Sequence, residues 1–121
     1  MKLKNANLLV VDDREETVRV MSKFLQDECQ NVYIALGVSE AMEILQNHTI
    51  DIVISDYEID HLSGFDLLDQ VRPNYPQTFF VLITAYQSLE QEAMQKGVDL
   101  FFKKPIMSLD NFIEKLEGLF E

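Results

Sequence analysis

The strongest constraint on the fold is a fivefold alternation of short apolar runs with segments of helical periodicity. The runs cover residues 7–11, 32–35, 50–55, 78–84 and 98–102. Several of them are apolar without a break, which indicates strands that are buried on both faces. Strands of this kind, separated by helices, form parallel sheets that are covered on each side. The chain therefore predicts an α/β domain of the (βα)5 type, and 121 residues are the length of a single domain, 1–121.

The segments between the runs predict five helices, which the apolar spacing places at 14–29, 40–45, 65–72, 89–96 and 109–120. We expect Ser39 to cap the second helix, because serine hydroxyls accept hydrogen bonds from the first turn. The third helix is expected to end before Pro73, since the residue before a proline disfavours helical conformation. Gly97 is a suitable stop for the fourth helix.

The composition excludes several classes of function. Acidic residues outnumber basic ones by 21 to 10, which gives a net charge of −11. This charge repels nucleic-acid phosphates and anionic lipid surfaces, so we expect neither direct nucleic-acid binding nor membrane binding. The chain has one cysteine, Cys29, and shows neither a signal peptide nor a membrane-spanning run, so we expect a cytoplasmic protein.

Polar side chains follow the predicted strands where the strands end. They are Asp12 and Asp13, Asp56 and Glu58, Thr84, and the pair Lys103 and Lys104. Right-handed crossovers place the carboxyl ends of all parallel strands at one edge of the sheet. Ligands of open α/β sheets bind outside that edge, so we expect these side chains to form one site.

The chemistry of this set points to phosphoryl transfer. Two carboxylates about 5 Å apart repel each other by roughly 3 kcal/mol at an effective dielectric constant of 20. Three converging carboxylates therefore call for a cation, and a purely oxygen donor set favours Mg²⁺ or Ca²⁺ over zinc. A lysine and a threonine at the same edge can hold phosphoryl oxygens, and a carboxylate can itself be the nucleophile.

Four stretches in this order, VVDD, VISDYEIDHLSG, VLITAY and FFKKP, resemble the receiver domain of two-component response regulators. The resemblance covers essentially the whole chain. It implies a flavodoxin-like, doubly wound parallel sheet with the strand order 2-1-3-4-5. It also implies a Mg²⁺-dependent phosphoacceptor that takes its phosphoryl group from a phosphohistidine of a sensor histidine kinase or a phosphotransfer protein.

The resemblance assigns a role to each residue of the acidic set. Asp56 is expected to be the phosphoacceptor. Asp13 is expected to bind Mg²⁺ directly and Asp12 mainly through water, while the backbone carbonyl of Glu58 completes the metal ligands.

The resemblance also implies a set of switch residues. Thr84 is expected to close on the phosphoryl group, and Lys104, which directly precedes Pro105, to pair with it. Phe101 is the expected rotameric switch. These changes would alter the surface formed by helix 4, strand 5 and helix 5, to which an output domain or partner protein would respond.

The sequence departs from the family pattern at Asp60 and in one interval, and two further residues bear on the phosphoryl group. Asp60 stands where a proline is usual, which predicts a less rigid loop. Glu58 and Tyr86 occupy the positions that border the phosphoryl group, so we expect them to set the lifetime of the phosphate. The interval from Thr84 to Lys104 is about two residues shorter than the family pattern, which places the shortening in helix 4 or the loop before it.

Two alternatives to this interpretation remain open. Asp56-Tyr57-Glu58 superficially resembles the start of haloacid-dehalogenase-type phosphatases, which also form aspartyl phosphates. A receiver-like binding module that works without phosphorylation is the other. The receiver interpretation predicts a protein that modifies only itself rather than an enzyme, and it allows a phosphorylation-dependent homodimer.

Overall fold

Five parallel strands form the centre of the molecule in the computed structural model, which describes residues 1–121. The strands are β1 (Asn7–Val11), β2 (Asn31–Ala35), β3 (Ile52–Asp56), β4 (Phe79–Thr84) and β5 (Leu100–Lys103). Their order in the sheet is β2-β1-β3-β4-β5. This doubly wound flavodoxin-like order confirms the predicted fold.

Five helices cover the sheet. They are α1 (Glu15–Leu25), α2 (Val38–Asn47), α3 (Gly64–Asn74), α4 (Glu90–Gln95) and α5 (Leu109–Gly118). Short 3₁₀ turns lie at Leu3–Asn5 and Gln87–Leu89. None of the helices combines the length and the apolar character needed to cross a membrane.

The two faces of the sheet belong to two separate hydrophobic clusters. One cluster joins Leu9, Val53 and Leu82 to residues of α2, α3 and α4. The other joins the alternate positions of the same strands, including Leu8 and Val81, to α1 and α5. Every residue of the central strand β3 is buried. The uninterrupted apolar character of the runs is thus explained by helices packed on both faces.

The predicted strands agree with the observed ones to within two residues at each end, whereas some helix details were wrong. The helix α1 ends at Leu25 rather than at residue 29. Gly37, and not Ser39, precedes the first residue of α2. The helix α3 continues through Pro73 to Asn74. Proline is tolerated there because it lies in the last turn, where one missing N–H donor removes little of the helix.

The interval between β4 and β5, which we expect to be shortened, contains one 3₁₀ turn and one short helix. The 3₁₀ turn Gln87–Leu89 leads directly into α4, which has six residues and is the shortest of the five helices. Gly97 ends the segment with a φ of 98°, the left-handed conformation that glycine adopts without steric cost. The expected shortening therefore coincides with a small α4.

Arg72, at the end of α3, connects three segments at the amino-terminal edge of the sheet. Its guanidinium donates to the carbonyl oxygens of Thr78 at 2.9 Å and Gly97 at 2.7 Å, and to the Asp99 carboxylate at 3.1 Å. Asp99 in turn accepts the backbone N–H of Phe80 at 2.8 Å. The side chain of Arg72 thereby fixes the loop before β4 to the loop before β5.

We predict that Arg72→Ala lowers the free energy of unfolding by about 2 kcal/mol, because several hydrogen bonds to partly buried acceptors are lost together. Urea denaturation followed by circular dichroism measures the change. The matched control is Arg19→Ala, whose exposed guanidinium pairs only with Glu15 and should change stability by less than about 0.5 kcal/mol. Equal effects of the two substitutions would contradict a bracing role for Arg72.

Candidate functional site at the carboxyl edge of the sheet

Asp12 and Asp56 lie side by side because their strands are neighbours in the sheet. Asp12 directly follows Val11, the last residue of β1, and Val11 pairs with Ser55 of β3, the residue before Asp56. The two aspartates are only 3% and 9% exposed. Two carboxylates that are both withdrawn from water at one point destabilise the fold unless cations accompany them.

Lys104 supplies one of these cations. Its ammonium nitrogen lies 2.9 Å from Oδ1 of Asp56 and 3.9 Å from Oδ2 of Asp12. The backbone N–H of Lys104 donates to the carbonyl oxygen of Thr84 at 2.8 Å, which fixes the end of β5 against the end of β4. Of the two adjacent lysines, Lys104 points into the site and Lys103 is exposed.

Burial raises the pKa of the Asp56 carboxyl group above its ordinary value. The hydrogen bond and charge of Lys104 act in the opposite direction, and the charge of Asp12 adds to the rise. Burial dominates because a poorly solvated carboxylate is disfavoured relative to its neutral acid. Asp56 is therefore a carboxylate whose ionised form is poorly stabilised and whose closest cationic partner is a single ammonium.

The Thr84 side chain reaches the same site from the end of β4. The residue is buried, and its hydroxyl oxygen accepts the backbone N–H of Tyr86 at 3.1 Å. That bond uses an acceptor position of the hydroxyl and leaves its O–H free to donate. Thr84 is thus oriented by its own loop and retains a donor at the edge of the cleft.

Glu58 and Tyr86 both line the cleft, beyond the ends of β3 and β4. The Glu58 carboxylate raises the pKa of the Tyr86 phenol, first through a hydrogen bond and then through its charge. Both residues are exposed. The sequence treats them as two separate borders of the site, and the effect on the Tyr86 pKa indicates that the Glu58 charge acts on that phenol.

Together these side chains line an open cleft of about 330 Å³. Its lining residues are Asp13, Arg14, Asp56, Glu58, Thr84, Ala85, Tyr86 and Lys104. Of the acidic and basic residues expected at the site, Asp12 and Lys103 are absent from this lining: Asp12 lies beside Asp56 at the end of the neighbouring strand, and Lys103 is exposed.

Arg14 is a member of the site that the sequence did not indicate. Its guanidinium donates to both carboxylate oxygens of Asp12, at 3.3 and 3.2 Å, and one of its nitrogens lies 3.6 Å from Oδ2 of Asp56. The only signal for it in the sequence is its place directly after the aspartate pair.

Asp13 does not join the pair formed by Asp12 and Asp56. Its Oδ2 accepts the backbone N–H of Asp60 at 2.8 Å. Asp60 has a φ of 57° and lies at the tip of a short hairpin formed by Glu58–Ile59 and Leu62–Ser63. A proline, with φ near −65° and no N–H, could provide neither the conformation nor the bond. The departure at Asp60 therefore ties the loop to Asp13.

Gly64 is a second residue whose importance was missed. A Cβ at this position would lie 2.8 Å from the carbonyl oxygen of Asp56 and 2.6 Å from a side-chain carbon of Leu82. The N–H of Gly64 donates to the carbonyl oxygen of Tyr57 at 2.6 Å. The start of α3 thus packs directly on the backbone of Asp56, and only glycine leaves room for that approach.

Phe101 lies on β5 with its ring half-buried. It packs against the hydrophobic cluster on the side of α2, α3 and α4, which includes Ala93 of α4. Its neighbour Phe102 points to the other face and makes an edge-to-face contact with Phe112 of α5, with ring centroids 4.7 Å apart. The side chain of Phe101 is therefore on the face where a change in α4 could be transmitted.

The family model named response regulator receiver domain matches residues 8–117 of the chain. The chain belongs to the response regulator receiver domain family. The match runs from β1 through α5 and so includes every strand end that contributes to the site.

Two curated relatives differ in how much of their own length this chain covers. It is 31% identical over 108 residues to the transcriptional regulatory protein GlrR of Escherichia coli (strain K12), which covers 88% of this chain and 24% of GlrR. It is also 31% identical over 123 residues to the chemotaxis protein CheY-3 of Vibrio cholerae, which covers 98% of this chain and 94% of CheY-3. The chain thus spans about a quarter of the first relative and nearly all of the second.

A solved structure of similar fold is the response regulator TrrA of Thermotoga maritima in complex with Mg²⁺ and BeF. It has a TM-score of 0.83 and 25% identity, and the match covers 94% of this chain and 98% of that one.

The donor set of this receiver domain fits Mg²⁺ in its chemistry. The cleft offers carboxylate oxygens and is lined by no histidine or cysteine, as this hard cation prefers. No three acidic, histidine or cysteine side chains surround a common point. Arg14 and Lys104 pair with Asp12 and Asp56, and Asp13 accepts the backbone N–H of Asp60.

We predict that Asp56→Asn stabilises the receiver domain at about pH 7. The pKa of Asp56 is higher in the folded than in the unfolded chain. The folded state therefore binds this proton more tightly, and the free energy of unfolding falls as pH rises between the two pKa values. Removing the charge should raise the free energy of unfolding by about 1–2 kcal/mol.

Urea denaturation at about pH 7 and again at about pH 4, close to the ordinary pKa of an aspartate, tests this prediction, because the gain should shrink at the lower pH. Asp27→Asn is the control, since this carboxylate is exposed in the turn after α1 and its removal should leave stability within about 0.5 kcal/mol. Lower stability of Asp56→Asn at about pH 7 would show that the ion pair with Lys104 outweighs the burial of the carboxylate.

Proposed function

We propose that this receiver domain accepts a phosphoryl group on Asp56 in a Mg²⁺-dependent reaction. The observation that carries the proposal is the position of Asp56, buried beside Lys104 and Asp12 in a cleft that also contains the Thr84 hydroxyl. A nucleophile, a cation and a donor are thereby held at one edge of the sheet, which is what phosphoryl transfer requires of a protein.

In the proposed reaction a carboxylate oxygen of Asp56 attacks the phosphorus, and the bond from phosphorus to the donor breaks. Lys104 offsets the charge of the attacking carboxylate and then of the phosphoryl oxygens. Thr84 donates its hydroxyl to a phosphoryl oxygen. Asp12, Asp13, Asp56 and the backbone carbonyl of Glu58 would hold the metal. Mg²⁺, when bound, supplies positive charge that neutralises the phosphoryl oxygens as the bond forms.

The proposed donor is a phosphohistidine of a sensor histidine kinase or a phosphotransfer protein. Membership of the receiver family supports a histidine kinase as partner in general terms. The net charge of −11 and the cytoplasmic location expected from the sequence belong to the same proposal, in which the chain recognises proteins rather than nucleic acid or lipid.

The proposed output is a change of the surface formed by α4, β5 and α5. The backbone N–H of Lys104 donates to the carbonyl oxygen of Thr84. Movement of Thr84 towards a phosphoryl group would therefore also move the end of β5. Phe101 is the aromatic side chain of β5 that faces the α4 side of the core. Met94 and Leu109 are exposed on this surface, where an output domain, a partner protein or a second copy of the chain would bind.

The two alternatives are affected differently by the family match. A match to receiver domains over residues 8–117 supports the phosphoacceptor over the phosphatase alternative, and we propose a switch that modifies only itself rather than an enzyme acting on an external substrate. Whether the domain is instead a binding module that works without phosphorylation is a question for experiment.

We predict that acetyl phosphate with Mg²⁺ adds one phosphoryl group to the protein, detected as a gain in intact mass. The gain should be lost in Asp56→Asn and when EDTA replaces Mg²⁺, because nucleophile and metal are both required. Asp27→Asn, which removes an exposed acid outside the cleft, should be phosphorylated like the wild type. A wild-type chain that stays unmodified would favour the binding-module alternative.

We also predict that Glu58 and Tyr86 set the lifetime of the phosphate as a pair. Glu58→Ala and Tyr86→Ala should each change the rate of dephosphorylation by about threefold or more. The double variant should differ from the product of the single effects, because the Glu58 charge acts on the Tyr86 phenol and interacting residues are coupled. The rates follow from the loss of the phosphorylated mass after removal of the donor.

Gln87→Ala is the control for the lifetime measurement, since this side chain contacts Glu90 at the outer side of the same loop. It should leave the rate unchanged. Rates that stay at the wild-type value in both single variants would refute a role for the pair, and strictly multiplicative effects would refute the coupling.

A further inference from the structure

Arg14 binds the carboxylates of the site in a way that neither the sequence nor the proposed function accounts for. Asp12 accepts three hydrogen bonds from this one residue, from its backbone N–H at 3.0 Å and from two guanidinium nitrogens at 3.3 and 3.2 Å. The same guanidinium approaches Asp56 to 3.6 Å. Arg14 therefore bridges the two buried acids from the cleft side.

The guanidinium completes the neutralisation that Lys104 begins. Lys104 contacts Asp56 and Asp12 from β5, and Arg14 contacts both from the start of α1. The third acid, Asp13, is held by the N–H of Asp60. Each of the three carboxylates assigned to the metal thus already has a partner within the chain.

Arg14 differs from Lys104 in how easily it can leave. Its side chain is 58% exposed, compared with 27% for Lys104. An open groove of about 550 Å³ along α1 begins at Arg14 and is lined by Glu16, Thr17 and the apolar side chains of Val20, Met21 and Phe24. The groove has room for the arginine stem and an acid for its charged end.

A divalent cation close to Asp12 and Asp56 would weaken the hold of these carboxylates on this guanidinium. Both are positive and repel each other, and both use lone pairs of the same two carboxylates. The smaller, doubly charged ion binds more strongly to oxygen, whereas the guanidinium is linked to the site by the chain and is always present at high local concentration. The two are therefore competitors.

We propose that Arg14 is a tethered counter-ion that occupies the carboxylates of Asp12 and Asp56 and is displaced into the α1 groove when Mg²⁺ binds. This inference rests on the proposed function only in taking Mg²⁺ as the ion of the cleft. Its consequence is that Arg14 lowers the affinity for Mg²⁺ and stabilises the protein in the absence of the ion.

The first test is a calorimetric titration with MgCl₂ in the absence of any phosphodonor. Arg14→Ala should bind Mg²⁺ about 5- to 10-fold more tightly than the wild type, because a partly exposed ion pair no longer has to be broken. Arg14→Lys keeps the charge but not the two-pronged contact with Asp12, so its affinity should lie between those of the wild type and Arg14→Ala. Arg19→Ala, one turn further along α1 and paired only with Glu15, is the matched control and should not change the affinity.

The second test is thermal unfolding of the same variants with EDTA and with saturating MgCl₂. With EDTA, Arg14→Ala should melt at a lower temperature than the wild type, since Asp12 and Asp56 lose a partner. With saturating Mg²⁺ the difference should close, because the guanidinium is displaced in the wild type as well.

Unchanged or weaker Mg²⁺ binding by Arg14→Ala would overturn the inference, as would a melting difference that persists with saturating Mg²⁺. A lysine variant that binds as tightly as the alanine variant would exclude charge as the cause. Mg²⁺ binding that is identical in all variants would refute only the role of Arg14. Failure of every variant, including the wild type, to bind Mg²⁺ would also refute the metal in the proposed function.

Discussion

The repulsion between the buried carboxylates of Asp12 and Asp56 is the constraint around which the site is arranged. Both groups are withdrawn from water at the end of neighbouring strands, where a negative charge without a partner is unfavourable. Lys104 and Arg14 approach from opposite sides and offset this cost. On the proposed function, the same unfavourable charge density is what makes the cleft receptive to a divalent cation and a phosphoryl group. The buried carboxylates thus lower the stability of the fold at the site where the proposed reaction takes place.

The parallel sheet makes this concentration of charge possible. With every strand running in the same direction, β1, β3, β4 and β5 all deliver their next residues to one edge. Gly64 then brings α3 directly against the backbone of Asp56. The position of Asp56 is consequently fixed by the sheet on one side and by a helix on the other, whereas Glu58 and Tyr86 lie beyond the strand ends and are exposed.

Much of the fold and the centre of the site could be predicted from the sequence, because both follow from periodicity and topology. The end of each apolar run can be located in the sequence. In a parallel sheet the residues that follow one run lie beside those that follow the neighbouring run. Asp12, Asp56, Thr84 and Lys104 are brought together for that reason. The remaining features depend on side-chain direction and local backbone conformation, which periodicity does not encode. Arg14 folds back on Asp12 instead of pointing along α1, and Asp60 takes a positive φ and donates its N–H to Asp13.

The central claim is that Asp56, and no other acid of this edge, carries the phosphoryl group. Borohydride reduces an aspartyl phosphate to homoserine and leaves free carboxylates unchanged, so treatment after incubation with acetyl phosphate and Mg²⁺ marks the acceptor permanently. Peptide mass spectrometry then locates the mark. The account predicts homoserine at position 56 alone. Homoserine at Asp12 or Asp13, or at no position in protein that has gained the mass of a phosphoryl group, would contradict it.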